Sequence, residues 1–222
     1  MADRYSQRFG VRVDVLYPSR GEDSPSPVAL VRTEPTSAIV VAYGGMIHQA
    51  WAVEALQAMA SVLVKLGGRL DLYVPYSEMA LEEMGLAGPS IRRIGFLPAR
   101  QMSESMRLTA HVLFLPASFR AQEMTDASTL FPSKLADYTA VGLPILIWGP
   151  MHSSAARWAT ENPGVAELVT DQDSMAIQRA LAKLAGDPGY ANDVASNGVA
   201  AGTRDFESIA VRNRFFAALR PD

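Results

Sequence analysis

Four short runs of apolar residues, Ala38 to Tyr43, Leu70 to Val74, Val112 to Leu115 and Ile145 to Trp148, recur along the chain with helix-like stretches between them. Runs of this length that are apolar at nearly every position fit strands buried on both faces. Strands alternating with helices fold as βαβ units around a parallel sheet. Ile91 to Ile94 and Ala166 to Val169 read as two more, which predicts an α/β fold: a Rossmann-like, three-layer α/β/α arrangement of about six mostly parallel strands. Ligands of such sheets bind outside the carboxyl ends of the strands. Three loops are therefore expected to converge there: Gly44-Gly45-Met46, Gly95-Phe96-Leu97-Pro98 and residues 118–133.

The intervening patterns predict the helices. Val53, Leu56, Ala60, Leu63 and Val64 recur at helical spacing between Gln49 and Leu66. Ser77 is placed to cap a short helix that stops near Gly85. Ser103 to Thr109 and Ser153 to Thr160 follow, and beyond Asp173 the pattern is helical, with breaks expected near Asp187-Pro188-Gly189 and at Gly202. Met102 and Met106, at helical spacing, read as core. Val11 to Tyr17 reads as extended and Arg20 to Pro27 as a loop. Ala117 to Leu130 reads as a polar, irregular loop, and loops of that length in compact domains are functional or mobile.

Composition removes whole classes of function. The 222 residues are 49% apolar and 19% charged, with a net charge of −3, which suits a globular core and no field for nucleic acid. The chain has no cysteine, so disulfides and thiolate metal sites are excluded and a cytoplasmic location is expected. No apolar run approaches the roughly 18 residues of a membrane span, and MADRYSQRFG has no leader-like apolar segment. Gly-x-Gly-x-x-Gly is missing, which disfavours a dinucleotide dehydrogenase, and there is no Gly-x-Ser-x-Gly nucleophile elbow. Three scattered histidines, His48, His111 and His152, make a poor metal site; no metal is expected.

Chemistry concentrates in FPSKLADYTAVGLPIL, residues 131–146. Pro132 and Ser133 lie where helices start, Gly142 where they stop, and a strand follows Pro144. Lys134 and Asp137, three apart, share a helix face. A helix N-terminus attracts phosphate, and an acid one turn further in is placed to accept hydrogen bonds from a sugar. That combination points to a nucleotide-sugar site.

The same stretch resembles the donor-binding C-terminal half of GT-B glycosyltransferases (group 1-like), in which a helix reading roughly Pro-x-Lys-Leu-x-Glu-Tyr-x-Ala-x-Gly-x-Pro precedes a strand. Pro132, Lys134, Leu135, Asp137, Tyr138, Ala140, Gly142 and Pro144 carry the match, with Asp137 where the family usually has Glu. The resemblance covers roughly Ile39 to Pro188, with His111 replacing an Asp at the start of the Val112 strand. It implies the following divisions: residues 1–27 as the remnant of a preceding domain, its last helix and strand ending at Pro18, and a linker, 28–200 as the nucleotide-sugar-binding domain, and 201–222 as a helix crossing back to an acceptor-binding N-terminal half. That half would be a further partner and the route to any peripheral membrane association, at the inner face of the membrane.

The implied function is binding of a nucleotide-diphosphate sugar for transfer to an acceptor, with no cofactor and no nucleic acid; the half alone is expected to turn over little. The implied donor-site residues are Gly44, Gly45, Met46, His48, Phe96, Leu97, Thr129, Leu130, Phe131, Lys134 and Asp137, and no catalytic residue is assigned. Two departures weigh against catalysis. Met46 stands where relatives carry an Arg, with no Lys or Arg from Ile47 to Val53, and Thr129 stands where retaining members place a first glutamate. A departing diphosphate needs positive charge or oriented dipoles. A non-catalytic nucleotide-sugar-binding or scaffold module therefore stands as the alternative, and an epimerase or phosphorylase-like enzyme as a third. Glu123 and Asp126, three apart, read as a solvated loop before a catalytic pair.

Overall fold

Successive residues along the central strands enter opposite layers. In β1 (Val40–Gly44), Val41 and Tyr43 belong to one buried cluster and Val40 and Ala42 to the other. The same alternation runs through Val112 and Phe114 against Leu113 and Leu115, and through Leu146 and Trp148 against Ile145 and Ile147. A strand with both faces covered cannot sit at a solvated surface, so helices must pack on each side. The computed structural model describes residues 2–21 and 24–219, and readings that fall on Met1, on residues 22–23 and on residues 220–222 lie outside the described residues.

After α1 (Ala2–Phe9) and the segment leading to β1, the chain alternates as expected. It runs through α2 (Ala50–Lys65), β2 (Arg69–Tyr73), α3 (Glu78–Glu83), β3 (Ile91–Arg93), α4 (Ala99–Thr109) and β4 (Val112–Pro116). Then come α5 (Met124–Thr129), α6 (Ser133–Val141), β5 (Ile145–Trp148), α7 (Ser154–Glu161), β6 (Glu167–Val169), α8 (Ser174–Gly186), α9 (Pro188–Phe206) and α10 (Ser208–Ala218). The six strands are all parallel, in the order β3-β2-β1-β4-β5-β6. That order reverses direction between β1 and β4, which opens a crevice at their carboxyl ends. One buried cluster joins the sheet to α2, α3 and α8, and the other joins it to α4, α6, α7 and part of α9.

Three sequence expectations are corrected. Ala117 to Leu130 is not irregular throughout: it holds a 3-10 turn at Ala121–Glu123 and then α5. Val11 to Tyr17 forms no strand. Gly202 does not break a helix, because α9 runs unbroken from Pro188 to Phe206. Its glycine serves close approach instead: a Cβ there would lie 2.1 Å from Thr139 Oγ1 on α6 and 2.6 Å from the Arg20 guanidinium. Helices crossing this closely need a bare backbone at the contact.

The segment before β1 is strapped to this crossing. Arg20, buried, donates from Nε to the Ala136 carbonyl (3.1 Å) and from a terminal nitrogen to Thr139 Oγ1 (2.9 Å). Leu30 donates its amide to the carbonyl of Gly142 (2.9 Å). Gly142, at φ 78°, ends α6 in the left-handed region, and a Cβ would stand 2.0 Å from the Val28 carbonyl oxygen.

Candidate functional site

The turn that follows β1 is held by three tyrosines. Tyr138, buried on α6, accepts the Gly44 amide on its hydroxyl (2.8 Å). Tyr76 accepts the Ile47 amide (3.1 Å) and donates to the Ile47 carbonyl (3.0 Å). Tyr43 donates to the Met46 carbonyl (2.9 Å), and the Gly45 amide goes to the Tyr73 carbonyl (2.9 Å). Gly45 sits at φ 107°, a backbone state that side chains disfavour. The amides of Gly44, Gly45 and Ile47 thus already have acceptors. Met102 and Met106 fill the space beneath Gly44, as the core reading of their spacing required.

Lys134 reaches this turn from α6. Its ammonium donates to Tyr43 Oη at 2.6 Å and to the Met46 carbonyl at 3.3 Å, and lies 4.4 Å from the centre of the Tyr43 ring. Lys134 and Tyr138, one helical turn apart, both face β1, so the spacing that places one places the other. Burial disfavours the charged ammonium and brings the Lys134 pKa down to about 8. Burial also pushes the Tyr43 and Tyr138 phenols up, so both stay neutral at physiological pH.

The start of α6 carries no side-chain cap: Pro132 occupies the position before Ser133, whereas Ser153, Asp173 and Asp187 cap α7, α8 and α9. Its first amides therefore end at the carboxyl edge of the sheet without a side-chain acceptor at the cap, a favourable place for an anion. The approach loop is fixed from two sides. Ser154 donates to the Leu130 carbonyl (2.6 Å), and Arg157 donates to the Ser128 carbonyl (2.7 Å) and the His152 carbonyl (2.6 Å). Thr129 ends α5 with its hydroxyl on the Thr125 carbonyl (2.7 Å), and the Leu130 amide goes to the Asp126 carbonyl (2.8 Å). The Phe131 ring packs 4.7 Å from Tyr17 and 5.6 Å from Phe206, as a core anchor. Asp137 is half-buried on the next turn of α6, and its charge acts on Arg20 and Tyr138.

The remaining predicted residues spread along the same edge. Met46 and His48 are exposed beyond the glycine turn. Phe96, 62% exposed, follows Gly95 (φ 90°) past the end of β3, while Leu97 tucks against the core. His111 lies at the opposite end of the sheet, where its Nδ1 accepts the Val40 amide (2.9 Å) and its Nε2 meets Thr36 Oγ1 (3.2 Å). His152 lines a cavity of about 430 Å³ with Met151, Arg157, Thr160 and Glu161. Glu123 belongs to the 3-10 turn and Asp126 to α5.

Arg120 escaped the sequence reading, which sought cations after β1 and on the helix of Lys134 and not in the loop after β4. It enters from the loop after β4, its amide bonded to Ser118 Oγ (3.1 Å), and pairs with Glu54 on α2 at 2.5 Å and with Glu123 at 3.9 Å. A basic residue just past a switch-point strand was the available signal. Among the described residues, no group of three His, Cys, Asp or Glu side chains is placed to hold a metal ion, and no helix is long and apolar enough to cross a membrane.

A parallel sheet with its order reversing at β1 and β4, and a cation and an uncapped helix start beside that reversal, define a Rossmann-like domain with a switch-point crevice. The fold is that of one half of a GT-B glycosyltransferase. Sucrose-phosphate synthase from Thermosynechococcus elongatus superposes on 97% of this chain and 56% of its own, with a TM-score of 0.66 and 16% identity. The Anabaena protein HepE, solved with UDP and glucose, matches 82% of this chain and 48% of its own (TM-score 0.61, 13% identity). The trehalose 6-phosphate synthase of Burkholderia multivorans matches 83% and 42% (TM-score 0.60, 16% identity). The chain spans about half the length of these structures. No protein-family model matches the sequence, and no curated protein matches it.

Proposed function

We propose that this chain is the donor-binding half of a glycosyltransferase and holds a nucleoside-diphosphate sugar in the β1/β4 crevice. The observation that carries the reading is the Lys134 ammonium lying beside the Gly45 turn at the switch point. In this reading Lys134 and the first amides of α6 receive the diphosphate. Asp137 accepts the ribose hydroxyls, and the exposed Phe96, with Leu97, flanks the base. Lys134 answers the missing Arg after β1 by supplying a cation from across the sheet. HepE, a structural neighbour, has been solved with UDP-glucose, which supports a uracil nucleotide as the first ligand to try. Transfer itself requires an acceptor held by a second domain, with residues 28–200 as the donor domain and residues 201–222, which include α10, as the return to that partner.

Calorimetric titration of UDP, GDP and their sugars against the wild type and Asp137→Ala tests this. Binding that Asp137→Ala abolishes is the expected result. Absence of binding by every nucleotide would remove the donor reading. A second reading, a non-catalytic binding or scaffold module, draws on one observation: the amides of Gly44, Gly45 and Ile47 are already bonded within the fold. Recovery of sugar transfer on joining the chain to an acceptor-binding half would exclude it.

A further inference from the structure

Tyr43 is buried at the carboxyl end of β1, and its hydroxyl has two partners, both at the crevice. It accepts from Lys134 at 2.6 Å and donates to the Met46 carbonyl at 2.9 Å. The Lys134 ammonium also reaches that carbonyl, at 3.3 Å, and stands over the face of the same ring. A phenylalanine would fill the same volume, so burial alone does not call for the hydroxyl. Its position serves the lysine. The three-way contact among Tyr43, Lys134 and Met46 fixes a flexible four-carbon side chain, which otherwise loses much rotamer freedom on binding an anion. The Met46 carbonyl is the weaker of the two ammonium contacts and faces the turn, so it is the one an incoming anionic oxygen can replace.

We propose that Tyr43 is a positioning residue for the diphosphate: its hydroxyl holds the Lys134 ammonium over the Gly45 turn, and a phosphate oxygen takes the place of the Met46 carbonyl. This rests on the donor reading above. No bond is made or broken; one acceptor of the ammonium is exchanged for another. The titratable groups at this junction are Tyr43 on β1, Tyr76 after β2, and Tyr138 and Asp137 on α6 itself. Burial holds the Tyr43 and Tyr138 phenols neutral and brings the pKa of the Lys134 ammonium down to about 8. Phosphate bound at the ammonium favours its charged form, so binding near pH 8 draws in a proton.

The test is a double-variant cycle with Tyr43→Phe and Lys134→Met, titrated with UDP and, separately, with uridine. Tyr43→Phe is expected to weaken UDP about tenfold and leave uridine unchanged. The double variant is expected to bind UDP no more weakly than Lys134→Met alone, because Tyr43 acts through the lysine. Losses that multiply in the double variant would overturn the positioning role while leaving the donor reading intact. Failure of the wild type to bind UDP, GDP or pyrophosphate would overturn both.

An arm independent of nucleotide affinity is competitive acetylation of Lys134 in the ligand-free protein, read by mass spectrometry across pH. The Lys134 profile is expected to shift between wild type and Tyr43→Phe, and an unchanged profile overturns the proposal. If Tyr43→Phe does not fold, pyrophosphate is added to the wild type: protection of Lys134 is expected, and no protection overturns it.

Discussion

The Cε of Lys134 passes 2.6 Å from the point where a Cβ on residue 45 would stand, so the lysine crosses the turn through the space that glycine leaves. Gly45 is also at φ 107°, and the two requirements coincide on one residue. Gly45→Ala is therefore expected to lose about 1–3 kcal/mol in urea denaturation, mostly from backbone strain. It should also displace Lys134 and weaken UDP. The far end of a lysine yields cheaply, so Gly45→Ala/Lys134→Ala should recover only the smaller, steric part of the stability loss. Full recovery would mean that the backbone at 45 carries no strain.

Lys134 gives the fold a pH dependence whose sign follows from its pKa of about 8, below the value near 10.5 of an unfolded lysine. Between these values the unfolded chain binds more protons, so stability rises with pH in that window. The cost of burying the charge is present in full below pH 8 and is relieved as pH climbs toward 10. It amounts to something on the order of 2 kcal/mol, given that the side chain is only half-buried. Lys134→Met removes this cost. It is expected to melt higher than wild type at pH 7, with the gap narrowing steadily between pH 8 and pH 10 in parallel thermal melts. Above pH 10 both proteins should weaken together, because Tyr43 and Tyr138 are held neutral only in the folded state.

Gly202 and Gly186 offer an internal contrast. A Cβ at Gly202 would meet Thr139 and Arg20 at 2.1 and 2.6 Å, whereas one at Gly186 would meet nothing within 4 Å. Gly202→Ala is expected to cost about 1–3 kcal/mol by overpacking the α6/α9 crossing. Gly186→Ala, in the last turn of α8, should be neutral or gain up to about 1 kcal/mol from helix propensity. Equal effects at the two positions would show that the crossing has slack.

These glycines mark where the sequence was legible and where it was not. Gly142 announced a helix stop because its effect is local: a left-handed residue after an apolar helical run. Gly202 was misread because its reason is not local: the partner that requires it, Thr139, lies 63 positions away. The strands were legible because apolar runs buried on both faces leave little alternative. Lys134 was legible as a candidate from its place near a helix start, but its tie to Tyr43 spans 91 positions and depends on β1 and α6 lying side by side. Arg120 was missed because its tie to Glu54 likewise exists only once β4 has brought its loop to α2. The role of Phe131 as an aromatic anchor to Tyr17 and Phe206 required the segment before β1 to fold back on the domain.

That aromatic anchor continues to Trp158, whose indole donates to buried Asp205 at 2.9 Å. Asp205 also pairs with Arg204 at 2.6 Å and with Arg214 of α10 at 3.5 Å, so it ties the end of α9 to the last described helix. Burial raises the pKa of this carboxyl, but the Arg204 and Trp158 hydrogen bonds and the two guanidinium charges outweigh it, and the net shift is downward. A depressed carboxyl pKa stabilises the fold at every pH above its unfolded value, and that contribution is lost as pH falls below about 4 and through the folded pKa. Asp205→Asn keeps the shape but removes the charge. It is expected to cost about 1–3 kcal/mol at pH 7 and progressively less toward pH 3. Urea melts at pH 7, 5 and 3, followed by the fluorescence of Trp158 in a Trp51→Phe/Trp148→Phe background, would measure this directly. A cost that stays constant from pH 7 to pH 3 would mean that the Asp205 charge does not hold α10 in place.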